Sequence, residues 1–410
     1  MISLNGKITV ASDKSMSHRG IMLGSIATGL TKIENFLLGE DCLATIDCFR
    51  KLGVRIDSNP SEILVYGQGM QSLVQPNSVL YTGNSGTTTR LLAGLLSGYD
   101  MTCVIDGDES LQSRPMKRVI EPLTGMGATI KSKKGGFCPL TVKGGNLKGI
   151  TYTLPVASAQ LKSAIILAGI NAEGETVIIE NEKSRDHTEN MLKAMGGDIA
   201  VADNKITVRK TEKLYGQNFI IPGDISSAAF FMVAALITPD SEVMIQNVGI
   251  NPTRTGILDV LTQMGGDIRL ENKRIICNEV ICDIVVRSSK LHGVEVGGKI
   301  IPTLIDEIPI IAVAAAYAEG ETVISDAKEL RVKETDRIGT ILEMLTVAGV
   351  GTEEFEDGFK VFGGMKMQNG VYNSYKDHRI AMAAKILDIK NYCRNEIRSF
   401  SCVAVSFPDF

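Results

Sequence analysis

Six times along the chain a small polar cluster runs straight into an almost unbroken apolar stretch. The first is Ser12-Asp13-Lys14-Ser15-Met16-Ser17-His18-Arg19, followed by Ile21-Met22-Leu23-Gly24-Ser25-Ile26-Ala27. The second begins near Val79 and has Thr82-Gly83-Asn84-Ser85-Gly86-Thr87-Thr88-Thr89-Arg90 ahead of Leu91–Leu96. The third, from near Ile150, has Val156-Ala157-Ser158-Ala159-Gln160-Leu161-Lys162-Ser163, and the fourth, from near Phe219, has Pro222-Gly223-Asp224-Ile225-Ser226-Ser227. The fifth and sixth start near Lys299 and Val371 and contain Ile305-Asp306-Glu307 and Lys376-Asp377-His378-Arg379. The runs that follow are apolar nearly all round and rich in Ala and Gly, which predicts helices buried on most sides and closely packed.

Each unit continues in the same way. Strands rich in β-branched residues follow, such as Thr176-Val177-Ile178-Ile179 and Thr322-Val323-Ile324. A second, amphipathic helix then ends on glycine, as at Met195-Gly196-Gly197 and Met264-Gly265-Gly266, where a left-handed cap is cheapest for a residue without a side chain. The period, about 70 residues, exceeds that of common solenoids. Buried inner helices with sheets outside is the expected packing, either as one six-unit assembly or as two of three.

Composition narrows the class. With 410 residues, 44% hydrophobic and 22% charged, the chain has room for two to three globular domains. The N-terminal Met1–Lys7 segment lacks the order of a signal peptide, and the longest apolar runs, 228–237 and 308–318, are too short to span a bilayer. The eight cysteines include no C-x-x-C pair, the nearest approach being Cys277 and Cys282. Scattered thiols suit a reducing, cytoplasmic setting, and neither a zinc site nor a disulfide framework is expected. A net charge of -4 argues against general nucleic-acid affinity, so any anion site must be built locally.

Helix N-termini supply such sites, because their unbonded N–H groups and partial positive charge attract anions. Ordinary N-capping explains many of the Ser, Thr, Asn and Asp residues in the clusters. It does not explain Lys14 and Arg19, cations that oppose the dipole of a buried helix and call for a compensating anion. Further basic groups precede the second helices: Arg114, Lys117 and Arg118; Lys183 and Arg185; Arg331, Lys333 and Arg337. Each alone reads equally as a solvated surface run; together they imply two anionic groups or two substrates.

The stretches Asp13–Arg19, Gly83–Arg90 and Leu330-Arg331-Val332-Lys333-Glu334-Thr335-Asp336-Arg337 closely resemble signatures of the 3-phosphoshikimate 1-carboxyvinyltransferase (EPSP synthase) family. Asp377-His378-Arg379 and the terminal Ser406-Phe407-Pro408-Asp409-Phe410 fit the same family, in the same order along essentially the whole chain. The resemblance implies an α/β (α+β) two-domain enolpyruvyl transferase-like fold of six βαβαββ units, three per domain, with buried inner helices covered by sheets. One domain would be 12–224, and the other would combine 1–11 with 225–410 through two hinge crossings. The implied reaction moves the enolpyruvyl group of phosphoenolpyruvate to the 5-hydroxyl of shikimate 3-phosphate and releases phosphate, on the route to chorismate and the aromatic amino acids. The family works by addition then elimination without a metal or organic cofactor. A cytoplasmic monomer with small-molecule substrates, and neither nucleic acid nor membrane as partner, is the implied setting.

Carried over by motif position, Lys14, Ser15 and Arg19 would hold shikimate 3-phosphate, with Lys14 also reaching phosphoenolpyruvate. Asn84, Gly86 and Thr87 would line the phosphoenolpyruvate site, with Arg114, Arg337 and Arg379 on its carboxylate and phosphate. Ser158, Ala159, Gln160 and Ser184 match shikimate-phosphate contacts. Asp306 matches the acceptor of the shikimate hydroxyl proton, Lys333 a ligand near it, and Glu334 a proton-transfer group; Asp306, Glu334 and Lys14 form the catalytic set. On the residues alone, Asp306 reads as a helix cap and Glu334 as an ion-pair partner of a nearby arginine. The sequence departs from family wording at Ala11-Ser12 (often Pro-Gly), Ala159 (often Ser), His187 (often Tyr) and Val405 (Lys in some members), and it stops right after Phe-Pro-Asp-Phe, so that a last helix is expected to be incomplete. The competing readings are a UDP-N-acetylglucosamine enolpyruvyl transferase, opposed by the absence of cysteine from Ser110–Arg118, and a non-catalytic anion-binding repeat protein.

Overall fold

A computed structural model of the protein describes residues 3–276, 278–389 and 395–410. Cys277 and the Met1-Ile2 start therefore lie outside the described residues. The chain forms two compact units, residues 12–221 and residues up to 11 together with 222–410.

The unit 12–221 repeats one sheet topology three times. In its first sheet, Asn218–Ile220 runs parallel to Thr28–Glu34, which pairs antiparallel with Glu62–Gln68 and through it with Arg55–Ser58. The second has the order Leu80–Tyr81, Thr102–Asp106, Phe137–Lys143, Thr129–Lys133, and the third Thr151–Thr153, Glu175–Ile179, Lys205–Arg209, Ile199–Ala202. Burial alternates along these strands, as at Ile63 and Val65 or Leu140 and Val142, so one face of each sheet is apolar. That face covers the inner helices Lys14–Ile26, Gly86–Ser97 and Ala159–Gly169, which are buried almost throughout. The second and third approach so closely that a Cβ on Gly94 would lie 2.2 Å from the carbonyl oxygen of Ala164. This is the packing that the small-residue runs predict.

The other unit has the same plan with one departure. Asn5–Ile8, Glu242–Gly249, Glu279–Arg287 and Asp267–Ile276 form one four-stranded sheet; Glu295–Val296, Glu321–Ile324, Gly358–Phe362 and Gly351–Phe355 form another. Among the described residues the sixth repeat carries only a parallel pair, Val371–Asn373 with Glu396–Arg398. The inner helices here are Ile225–Ile237, Ile308–Tyr317 and His378–Leu387. Phe407 and Phe410 fold back onto Phe230 and Phe231 with ring centroids 5.7–5.9 Å apart, which anchors the C-terminal motif on the first of these helices.

The repeat starts differ from the reading of the residues alone, and one boundary differs from that implied by resemblance, while residues up to 11 lie in the later unit as the resemblance implied. The extended starts of the first and fourth repeats are exchanged: Asn5–Ile8 completes the sheet of the fourth, and Asn218–Ile220 that of the first. The second crossing also comes after Ile221, before the expected Asp224. Residues 222–224 are held by the unit that follows, since Gly223 N–H donates to Asn247 O and Asp224 N–H to Ala11 O, both at 2.8 Å. The predicted glycine ends are present, with Gly196 at φ +90° and Gly265 at φ +93° just past their helices.

Candidate active site

The clusters begin as caps. Asp13, Ser85, Ser158, Asp224 and Asp377 each accept a hydrogen bond from an N–H in the first turn of their inner helix. The fifth inner helix, Ile308–Tyr317, has no such side-chain cap, and Asp306 does something else.

In the unit 12–221 the three inner-helix starts are joined through the residues singled out by sequence. Lys14 forms an ion pair with Asp41 at 2.6 Å. Arg19 is buried and donates through Nε to Thr188 Oγ1 (2.6 Å), through Nη2 to Ser163 Oγ (2.8 Å) and through Nη1 to Ser15 O (2.9 Å). Arg114 Nη2 donates to Asn84 Oδ1 at 2.8 Å. Gln160 Nε2 donates to Thr87 Oγ1 (2.9 Å), while Gln160 Oε1 accepts from Arg90 Nη1 (2.7 Å). A Cβ at Gly86 would stand 2.7 Å from Arg90 Nη1 and 3.2 Å from Arg114 Nη1, so only glycine leaves these guanidinium groups their places. Ala159 opens the third inner helix beside the Ser158 cap and contributes backbone alone.

Beneath this surface lies a buried polar chain. His18 Nδ1 meets Thr45 Oγ1 at 2.7 Å, Thr45 Oγ1 meets Thr88 Oγ1 at 2.8 Å, and Thr88 Oγ1 donates to Ser85 Oγ at 2.7 Å. Burial, helped by the nearby charges of Lys14 and Arg19, holds the His18 imidazole well below its ordinary pKa, so it is neutral at pH 7. Lys162 is also buried and contacts Glu180, Glu189 and the carbonyl of Ser184. Burial raises the Glu189 carboxyl above its usual range, with Lys162 opposing.

The unit that contains residues 222–410 gathers its candidates around one guanidinium. Arg337 donates through Nε to Asp377 Oδ2 (2.8 Å), through Nη1 to Asp306 Oδ1 (3.2 Å) and through Nη2 to Glu334 Oε2 (2.6 Å). Its side chain is 1% exposed. Burial works against its charge, but Asp377, Glu334 and Asp306 outweigh that and hold its pKa above the usual value. Lys333 Nζ lies 3.4 Å from Asp306 Oδ1, and Arg379 Nη1 donates to Asp306 O at 3.2 Å. The Asp306 carboxylate thus faces three cations, and Glu334 is the ion-pair partner of an arginine.

Three groups escaped the sequence reading. Asp41 supplies the negative charge that the Lys14 side chain needs, so that cation alone does not require an external anion. Asp377 carries no sign of its partner within the Asp-His-Arg motif, yet it is fully buried and holds Arg337. Lys162 and its two carboxylates carried a signal of their own, a lysine inside an otherwise apolar helix. Cys48, Cys103, Cys138 and Cys282 are buried, and burial raises their thiols to about 12 for Cys48 and about 11 for the others. Such thiols are poor nucleophiles.

The family model for EPSP synthase (3-phosphoshikimate 1-carboxyvinyltransferase) matches residues 2–410. The chain belongs to the EPSP synthase family. A 3-phosphoshikimate 1-carboxyvinyltransferase of Bacillus cytotoxicus is 50% identical over 408 residues, covering 99% of this chain and 96% of that protein. The solved EPSP synthase of Acinetobacter baumannii is 46% identical with a TM-score of 0.86, covering 99% of this chain and 94% of that one. The enolpyruvyl transferase NikO of Streptomyces tendae shares the fold at a TM-score of 0.78 with 17% identity, covering 99% and 93% of the two chains. The two-domain enolpyruvyl transferase fold that the motifs implied is therefore the fold of this EPSP synthase family member. Among the described residues no helix is long and apolar enough to cross a membrane.

Proposed function

We propose that this protein transfers the enolpyruvyl group of phosphoenolpyruvate to the 5-hydroxyl of shikimate 3-phosphate, releasing phosphate, as a cytoplasmic monomer. The observation that carries the reading is the single ionic cluster of Asp306, Lys333, Glu334, Arg337 and Arg379, all five at family motif positions.

The reaction needs a proton removed from the hydroxyl, a proton delivered to the methylene carbon of phosphoenolpyruvate, and its removal again as phosphate leaves. Asp306 is the acceptor of the hydroxyl proton in this reading. Lys333, Arg337 and Arg379 surround its carboxylate and fix its position. Glu334 and Lys14 serve the carbon and the departing phosphate. Arg379, at the first turn of a helix, and Arg114 offer planar forks to carboxylate or phosphate. Arg337 is saturated by three carboxylates, so its contribution is to hold Asp306 and Glu334 in place unless a ligand anion exchanges with one of them. Ser15, Arg19, Ser158, Ala159, Gln160 and Ser184 bind shikimate 3-phosphate, and Asn84, Gly86 and Thr87 bind phosphoenolpyruvate.

Purified protein should release phosphate only when both substrates are present, with no added metal. Acceptance of UDP-N-acetylglucosamine with shikimate 3-phosphate ignored would replace this reading by that of the related transferase, and binding of both anions without turnover would favour a non-catalytic protein. Asp306→Asn, which preserves shape, should lower kcat by about 100-fold or more, the usual contribution of a general base. A wild-type rate would remove Asp306 from the mechanism.

A further inference from the structure

Ser184 is held by one buried ion pair on all three of its polar groups. Its N–H donates to Glu180 Oε1 at 3.1 Å and its hydroxyl donates to the same oxygen at 2.6 Å. Its carbonyl accepts from Lys162 Nζ at 3.1 Å, and Lys162 in turn bonds Glu180 Oε2 at 3.1 Å. The third ammonium hydrogen goes to Glu189 Oε1 at 2.7 Å, so every donor of Lys162 is used. All four residues are at least 94% buried.

A second rung lies beside the first. Ser163, next to Lys162, meets Thr188, next to Glu189, at 2.7 Å, and these two hydroxyls receive Arg19. The inner helix Ala159–Gly169 and the helix His187–Ala194 are thus cross-linked beside Ser184, and Arg19 reaches the same cross-link from the inner helix Lys14–Ile26. Stability gives no reason for this arrangement, since apolar residues of like volume commonly stabilise as well as a buried ion pair. Its geometry gives one, because a loop serine fixed at N–H, C=O and O–H keeps a single placement, with the lone pairs of its hydroxyl oxygen turned to a hydroxyl donor of the substrate.

We propose that Lys162 and Glu180 are positioning residues that set Ser184 for recognition of shikimate 3-phosphate and leave phosphoenolpyruvate binding untouched. The inference rests on the assignment of Ser184 to that substrate. Neither residue touches the substrate; both act through Ser184.

Glu180→Gln is the direct test. An amide cannot accept from Ser184 on one side and from Lys162 on the other, so one contact must be lost. The KM for shikimate 3-phosphate should rise roughly tenfold, the effect of one hydrogen bond of binding energy, with kcat and the KM for phosphoenolpyruvate within about twofold of wild type. Adding Ser184→Ala to Glu180→Gln should change that KM little further, because the serine is already misplaced. Should Glu180→Gln not fold, Glu180→Asp, which keeps the charge balance with Lys162 and Glu189 but shortens the reach to Ser184, gives the same readout. Equal rises in both KM values, unchanged KM values with only a lower Tm, or full additivity with Ser184→Ala would each overturn the proposal. A wild type that releases no phosphate from the two substrates overturns the functional reading and this inference with it; an active wild type with unshifted variants overturns this inference alone.

Discussion

Lys14 sits where a helix dipole disfavours a cation, and the structure resolves that conflict inside the protein through Asp41. The sequence signal was sound, but its cause was half internal. Arg337 teaches the same lesson more strongly. Its motif was legible, yet nothing in the linear order of residues says that Asp306, Glu334 and Asp377 converge on one guanidinium. His18 offers a pH test at this scale. Because burial keeps its folded pKa below that of the unfolded chain, only the unfolded state takes up its proton as pH falls below about 6.5. Stability should then decline by up to about 1.4 kcal/mol per pH unit until the folded pKa is reached. In His18→Asn, denaturant unfolding between pH 7 and pH 5 should show a shallower loss than the wild type. Parallel slopes would mean that His18 is not the group responsible.

At the scale of elements, the inner helices were readable because burial on all sides leaves an apolar run with few polar interruptions. Those interruptions proved informative: Lys162 in one helix and Arg19 in another each mark a cross-link to the helix His187–Ala194. The small residues were readable as packing, though not as particular contacts. Gly94→Ala should force the second and third inner helices apart, since its Cβ would meet the backbone of Ala164, which cannot rotate away. We expect a loss of about 2 kcal/mol or more, as for overpacked cores, measured by urea unfolding. A change below about 0.5 kcal/mol, the usual surface level, would show that the contact relaxes freely.

For the whole molecule, the strand Asn5–Ile8 belongs to a sheet whose other members begin at Glu242. Leu4 N–H also donates to Ser241 Oγ at 2.8 Å, and Glu242 N–H to Leu4 O at 2.9 Å. Removal of residues 1–10 should therefore expose the edge of Glu242–Gly249. Hydrogen exchange is expected to speed up at Glu242–Ile245 and to stay unchanged at Thr28–Glu34 in the other unit. Faster exchange at Thr28–Glu34 would contradict the pairing. The sequence reading assigned residues 1–11 to the later unit only through family resemblance, because a four-residue strand carries no mark of its partner.

By itself the sequence determined the six-fold repeat, the buried inner helices, the polar caps and the family, since periodicity, apolar continuity and long motifs are local properties of the chain. Tertiary structure decided which extended start completes which sheet, which carboxylate answers which cation, and that Ser184 hangs on Lys162 and Glu180. Those are outcomes of pairing between distant groups, where burial removes water as the alternative partner and leaves each charge only what the fold brings within reach.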